Sequence, residues 1–263
     1  MNCDREVLLD DLRRVHQSVH DSEYPFALLE TQTVRRCFPN VERSKLFSIL
    51  DPAFHAFNSA RKQNLRLYPG VKQTLDFLSN ANVRLVAHTE SKLYAVIDRL
   101  RRLDLQSYFA RVYCREGVKS THPSKFDRAS DWFEGFPLER IVELSHHQMK
   151  PNPDVLLEIC ATEGAPWKRA AYVGDSIARD ILMAKRAGVF SIWAEYGSVH
   201  DPNLYSKLVR VTHWTPAEVA REQLLKEEAR NVQPDFVART SFAEIVDGLA
   251  QLDQQLDGIP VET

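Results

Sequence analysis

No stretch of the 263 residues approaches the roughly 18 consecutive apolar positions that a membrane-spanning helix requires. The chain also lacks any marked excess of charge. At a formal net charge of −2 it has no field that would gather nucleic acid or an anionic membrane surface. Its four cysteines, Cys3, Cys37, Cys114 and Cys160, form no Cys-x-x-Cys pair and have no histidine nearby at zinc spacing. They read as reduced thiols of a cytoplasmic protein. The opening Met1-Asn2-Cys3-Asp4-Arg5-Glu6 is too polar and acidic to read as a secretory signal. Nothing repeats internally and no segment is of low complexity, which excludes a solenoid.

What is present is an ordinary globular composition, 44% hydrophobic and 27% charged, in a length that holds one α/β core and a smaller accessory domain. Over residues 1–66 the pattern is helical. Val7, Leu8, Leu12 and Val15 fall at helical spacing, as do Phe26, Leu29, Val34 and Phe38. A third helix is expected over about 42–62, kinked or split by Pro52. No strand is legible there, so the block reads as a small all-helical subdomain.

At Tyr68-Pro69-Gly70 the rhythm changes. Helices over 71–79, 92–103, 154–162 and 178–187 alternate with short apolar strands over 83–87, 111–113, 170–173 and 190–193. That alternation predicts an α/β core over 67–263, built on one parallel, doubly wound sheet of Rossmann type. Two segments break the rhythm, about 115–148 and 200–233, and read as insertions. In the first, Trp132, Phe133 and Phe136 are expected to pack the insertion down. The second ends in a charged helix over 218–230, expected to be a solvated face.

Ligands of open parallel sheets bind beyond the carboxyl ends of the strands, and three motifs fall at such places. Gly174-Asp175-Ser176-Ile177-Ala178-Arg179-Asp180 follows a strand directly. Its glycine permits a sharp exit, and Asp175 and Asp180 are hard oxygen donors of the kind Mg²⁺ prefers. Lys150-Pro151-Asn152-Pro153 precedes a helix, and its prolines stiffen the approach of an ammonium able to meet a phosphoryl group. Thr89 follows the strand over 83–87, where a hydroxyl beside backbone N–H groups suits a phosphate oxygen. Singly, these residues read as a helix cap, a surface lysine and a turn hydroxyl; in combination they point to a site. His88 and Glu90 leave substrate contacts beside Thr89 open, and His146-His147, with no third ligand legible, reads as loop.

In this order the motifs resemble the haloacid dehalogenase (HAD) superfamily, specifically its phosphoglycolate phosphatase-like hydrolases with an N-terminal helical cap. The resemblance covers about residues 68–197, with 236–249 as the closing strand–helix pair. It implies a HAD-like Rossmann-type fold with residues 1–66 as cap. It also implies hydrolysis of a small phosphorylated metabolite through an aspartyl-phosphate. Thr89 would bind phosphate, Lys150 would neutralise the phosphoryl group, and Asp175 and Asp180 would hold Mg²⁺.

One motif departs. The family's first motif is Asp-x-Asp, the first Asp attacking phosphorus and the second acting as acid and base. The sequence contains no Asp-x-Asp; Asp10-Asp11 is adjacent and lies in an apparent helix. No strand precedes the helical block, although the resemblance places one at the centre of the sheet, between 83–87 and 170–173. The expectation is a phosphatase whose nucleophile lies upstream of Met1, and negligible turnover by these residues alone. The alternative is a catalytically inactive HAD-fold binding or regulatory protein. Dehalogenation of a small acid is the weaker third reading, because it also needs the nucleophile and usually lacks the acidic pair.

Overall fold

The computed structural model describes residues 4–24, 26–116, 137–198 and 202–257, and divides into two compact units. Trp132, Phe133, Phe136 and Cys3 lie outside the described residues. Among those described, no helix is long and apolar enough to cross a membrane.

The first unit begins with α1 (Arg5–Val19), where the Asp4 carboxylate accepts the Glu6 and Val7 N–H groups. It continues through α2 (Ala27–Glu30), α3 (Gln32–Cys37) and α4 (Arg43–Asn64). Of the two outcomes expected at Pro52, a kink or a split, the split does not occur, since the proline lies inside one continuous α4. Proline removes one backbone donor, but Leu46, Leu50 and Phe54 bury the same face of the helix on both sides of it. Packing of that face outweighs a single missing bond. Leu29 and Val34 complete this core, with Phe26 and Phe47 packed against it.

The second unit opens with α5 (Val71–Asn80), entered through Gly70 at φ 81. A side chain there would be strained by that φ and also crowded, since a Cβ would lie 3.0 Å from Ala243. Helix α5 closes with Asn82 in the left-handed region, its N–H bonded to Ser79 O and the Val83 N–H bonded to Leu78 O. Val83 is therefore part of the helix cap, which is why β1 runs Val86–Lys92 rather than over 83–87. Its polar second half, His88 to Lys92, hid the strand from an apolar-run reading. Thr89 thus lies within β1, not after it. Then follow α6 (Leu93–Arg102), β2 (Arg111–Arg115), β3 (Ile141–Leu144), α7 (Pro153–Thr162), β4 (Ala171–Gly174), α8 (Leu182–Ala187) and β5 (Phe190–Ala194). Strand β3 lies in the stretch expected to be an insertion.

Helix α9 (Pro202–Val211) returns to the first unit, which comprises Met1–Arg66 and His200–Arg221. Arg210 pairs with Glu6 and Asp10, and the buried His16 ring N–H donates to Val211 O at 2.6 Å. The segment read as an insertion into the core is thus partly structural material of the helical unit. Helix α10 (Pro216–Glu228), β6 (Phe236–Ala238) and α11 (Ile245–Asp257) follow.

All strand pairs are parallel, but they form two three-stranded sheets instead of one, in the orders β1-β2-β3 and β4-β5-β6. The central strands are apolar and buried: Val112, Tyr113 and Cys114 in β2, Phe190 and Ile192 in β5. Strands β1 and β4 are edges, half-buried along most of their length. Among the described residues, side chains rather than backbone–backbone bonds join them.

Candidate active site

The site grows from the end of β4. Beyond Gly174 the chain makes a five-residue π turn, Ile177–Ile181, in which the N–H groups of Asp180 and Ile181 both reach Ser176 O, at 2.8 and 3.1 Å. The turn folds the Asp180 side chain back over Gly174, where a Cβ would overlap it. Glycine precedes Asp175 for this steric reason as well as for the strand exit.

Asp180 is buried and fully engaged. Its Oδ1 accepts Lys150 Nζ at 2.8 Å and the Tyr172 hydroxyl at 3.4 Å, and its Oδ2 accepts the Ser176 N–H at 3.1 Å. Lys150 Nζ also donates to His88 O at 3.2 Å and lies 5.4 Å from the Tyr172 ring centroid. The Tyr172 hydroxyl meets His88 Nδ1 at 3.2 Å. These four side chains tie the edge of one sheet to the edge of the other.

Burial of a lone ammonium or carboxylate is costly, so each member of this ion pair offsets the other. Desolvation alone would lower the pKa of Lys150, but Tyr172 and Asp180 hold it above the ordinary lysine value. Burial raises Tyr172. Burial, assisted by the Lys150 charge and opposed by Asp180, pushes His88 down to about 3, leaving a neutral imidazole at physiological pH.

A second set of contacts surrounds this pair. Glu90 accepts the Lys150 backbone N–H on Oε1 at 2.9 Å and Arg179 Nη1 on Oε2 at 2.7 Å. Arg179 Nε and Nη2 both donate to Glu222 Oε2 from α10, at 2.9 and 2.6 Å. The solvated-face reading of that helix therefore needs correction at Glu222, whose side chain is 15% exposed.

Of the residues singled out from the sequence, Lys150 and Asp180 are in direct contact. Thr89 lies between two residues that touch Lys150, and its hydroxyl accepts the Ser91 N–H at 3.1 Å. Asp175 is exposed at the end of β4; its carbonyl accepts Trp193 Nε1 at 3.0 Å. Sequence reasoning missed Tyr172, Arg179 and Glu222. Tyr172 had a signal, a polar-tipped ring in an apolar strand just before the Gly-Asp turn, whereas Glu222 had none beyond helical spacing. His146 sits in a 3₁₀ turn with Nδ1 3.0 Å from Arg115 Nη2. Among the described residues, no group of three or more His, Cys, Asp or Glu is placed to hold a metal ion.

A family model described as haloacid dehalogenase-like hydrolase matches residues 49–188, more than half of the chain. The phosphoglycolate phosphatase of Agrobacterium fabrum is 27% identical over 173 residues, covering 64% of this chain and 62% of that protein. The glyceraldehyde 3-phosphate phosphatase of Pyrococcus furiosus is 25% identical over 154 residues, covering 58% of this chain and 52% of that protein. The chain thus spans less than two thirds of the length of these curated relatives. A 2-haloacid dehalogenase from Pseudomonas syringae shares the fold at a TM-score of 0.50 and 18% identity, covering 95% of this chain and 82% of that one. With parallel α/β architecture under the matched segment and the Gly174–Asp180 turn inside it, the chain belongs to the haloacid dehalogenase-like hydrolase family.

Proposed function

We propose that the Lys150–Asp180 cluster is the phosphoryl-binding part of a Mg²⁺-dependent phosphohydrolase acting on small phosphorylated metabolites. The observation that carries this reading is a largely enclosed ammonium, its side chain 11% exposed, fixed beside the acidic turn at the end of β4. In this assignment Lys150 neutralises the phosphoryl group and Thr89 gives its hydroxyl to a phosphate oxygen. The names of the relatives, a phosphoglycolate and a glyceraldehyde 3-phosphate phosphatase, support the substrate class.

Asp175 and Asp180 suit Mg²⁺ as a partial donor set. This ion commonly takes one or two carboxylates and completes its shell with water and substrate oxygens. The charge balance favours it too. Lys150 and Arg179 already face Asp180, Glu90 and Glu222, and Asp175 adds a further carboxylate, so a phosphate dianion needs more positive charge. When bound, the ion supplies that charge.

No turnover step falls to these residues, because the Asp-x-Asp of the aspartyl-phosphate route is absent from the 263. Among the described residues, each of β1 and β4 pairs on one edge only, and the other edge is a fitting place for a parallel strand that carries the nucleophile. The same absence favours the second reading, a binding protein without catalysis. Calorimetry with inorganic phosphate tests the site. Binding is expected with Mg²⁺ present, is lost in Lys150→Met, and loses its Mg²⁺ dependence in Asp175→Asn. Undetectable phosphate binding by the folded protein would overturn both readings. Hydrolysis of a phosphate ester by a longer product of the gene bearing Asp-x-Asp would decide for the phosphatase.

A further inference from the structure

We infer that Arg179 is a positioning residue, clamped between Glu90 and Glu222 so that it fixes Lys150 against Asp180. The inference rests on the phosphoryl-site reading and concerns residues that reading does not use. The contacts form a closed ring. Asp180 Oδ1 holds Lys150 Nζ, the Lys150 backbone N–H holds Glu90 Oε1, Glu90 Oε2 holds Arg179 Nη1, and Arg179 is bonded through the chain to Asp180. A ring of this kind has no loose end: a shift of any member strains the next. Three of the chain segments that meet here, β1, the Lys150-Pro151 loop and the π turn, are locked by it.

The ring is stiff because Arg179 has a second anchor. Its Nε and Nη2 converge on Glu222, so the guanidinium plane is set from both sides. A planar fork of donors performs this two-sided task, and a lysine would supply the charge without the geometry. Side-chain exposures of 26% for Arg179, 19% for Glu90 and 15% for Glu222 place the clamp out of full solvent screening. Glu222 stands on α10, in the segment that followed no core rhythm in the sequence; holding Arg179 gives that segment a part in the site.

The test is inorganic phosphate affinity in the presence of Mg²⁺, with the ligand-free melting temperature measured on the same samples. Arg179→Met and Glu222→Gln are expected to weaken phosphate about tenfold and about threefold while the ligand-free protein still melts cooperatively. Arg179→Lys should recover only part of the loss, since it restores charge and not the fork. Glu90→Gln and Arg179→Met act through one path, so their combined loss should be smaller than the product of the two. If Lys150→Met abolishes binding but Arg179→Met and Glu222→Gln leave it unchanged, the positioning role is wrong and the phosphoryl site stands. If Lys150→Met binds phosphate normally, the site reading itself fails. Should Arg179→Met not fold, Glu222→Gln and Arg179→Lys decide the matter. Full recovery by lysine, or multiplicative losses, would reduce the clamp to ordinary structural packing.

Discussion

Asp11 and Asp180 are both buried aspartates with both carboxylate oxygens engaged, one in each unit of the chain, and they differ in the exposure of the cation that each one holds. Asp11 Oδ2 accepts the Thr33 N–H at 2.7 Å and the Thr33 hydroxyl, and Oδ1 accepts Arg14, whose side chain is 69% exposed. Burial alone would raise its pKa, yet the Thr33 donors and Arg14 hold it below the ordinary aspartate value. Asp180 takes the largely enclosed ammonium of Lys150 beside the Tyr172 hydroxyl and the Ser176 N–H. A carboxylate bound by fixed dipoles is a staple between helices, since hydroxyl and amide cannot leave. A carboxylate bound by a lysine shares a charge that another anion can also claim. Burial and saturation are common to both; what differs is that the cation at Asp11 is 69% exposed and the one at Asp180 is 11% exposed.

The contrast can be broken first at its strongest point. Asp180→Ala removes the carboxylate that offsets Lys150 and is expected to cost about 3–5 kcal/mol of unfolding free energy. Asp11→Ala should cost about 1–3 kcal/mol, the penalty for buried donors that lose their acceptor. Urea unfolding of the two variants makes the comparison, and equal losses would erase the distinction. Phosphate binding sharpens it, because Asp11→Ala should leave that affinity intact if the variant folds.

The smallest expected effect is acidic. His88 stays neutral when folded, whereas in the unfolded chain it takes up a proton below about 6.5. The unfolded state then binds more protons, so stability falls as pH drops from about 6.5 towards about 3. Between pH 6.5 and 5 the ceiling is about 2 kcal/mol, and partial exposure of the ring brings the expected loss to about 1 kcal/mol. The groups facing His88 are Lys150, Tyr172 and Asp180, and the lowered carboxylates Asp11, Glu163 and Asp235 act only at more acidic pH. Melting curves of the native protein and His88→Asn across this window should diverge, and parallel curves would place the titration elsewhere.

The same contrast of donors explains what could be read without a structure. Strands β2 and β5 start where expected because central strands are apolar on both faces and write themselves as hydrophobic runs. Helices α5, α6 and α7 were legible within about two residues, from periodicity and the Pro153 start. Strand β1 runs later than expected because its second half is His-Thr-Glu-Ser-Lys, a polar run that carries no apolar strand signal. The motif residues Lys150 and Asp180 were found by their frames of proline and glycine. Glu90, Arg179 and Glu222 were not given roles, since a bond across 89 or 43 positions leaves no local trace. Nor could an alternation of strands and helices foretell that the strands divide into two sheets.

Both units are assembled from separated pieces of chain, and that governs the order in which they are completed. The helical unit gains α9 late, its Val211 carbonyl receiving His16 across 195 positions. The α/β unit waits longer still. Pro69 O receives the Phe242 N–H, Gly70 lies against Ala243, and Ile192 is enclosed by β6 and α11. During synthesis the α/β core therefore stays unfinished until β6 and α11 have been made, whereas α9 adds its contacts to a helical core already complete within residues 8–54. Contacts of such long separation slow folding and prolong the exposure of apolar strands. Loss of the residues from Phe236 onwards would strip β5 of one of its two partner strands and remove the Ala238, Ile245 and Leu252 side chains packed with Phe190 and Ile192, an invitation to self-association during synthesis.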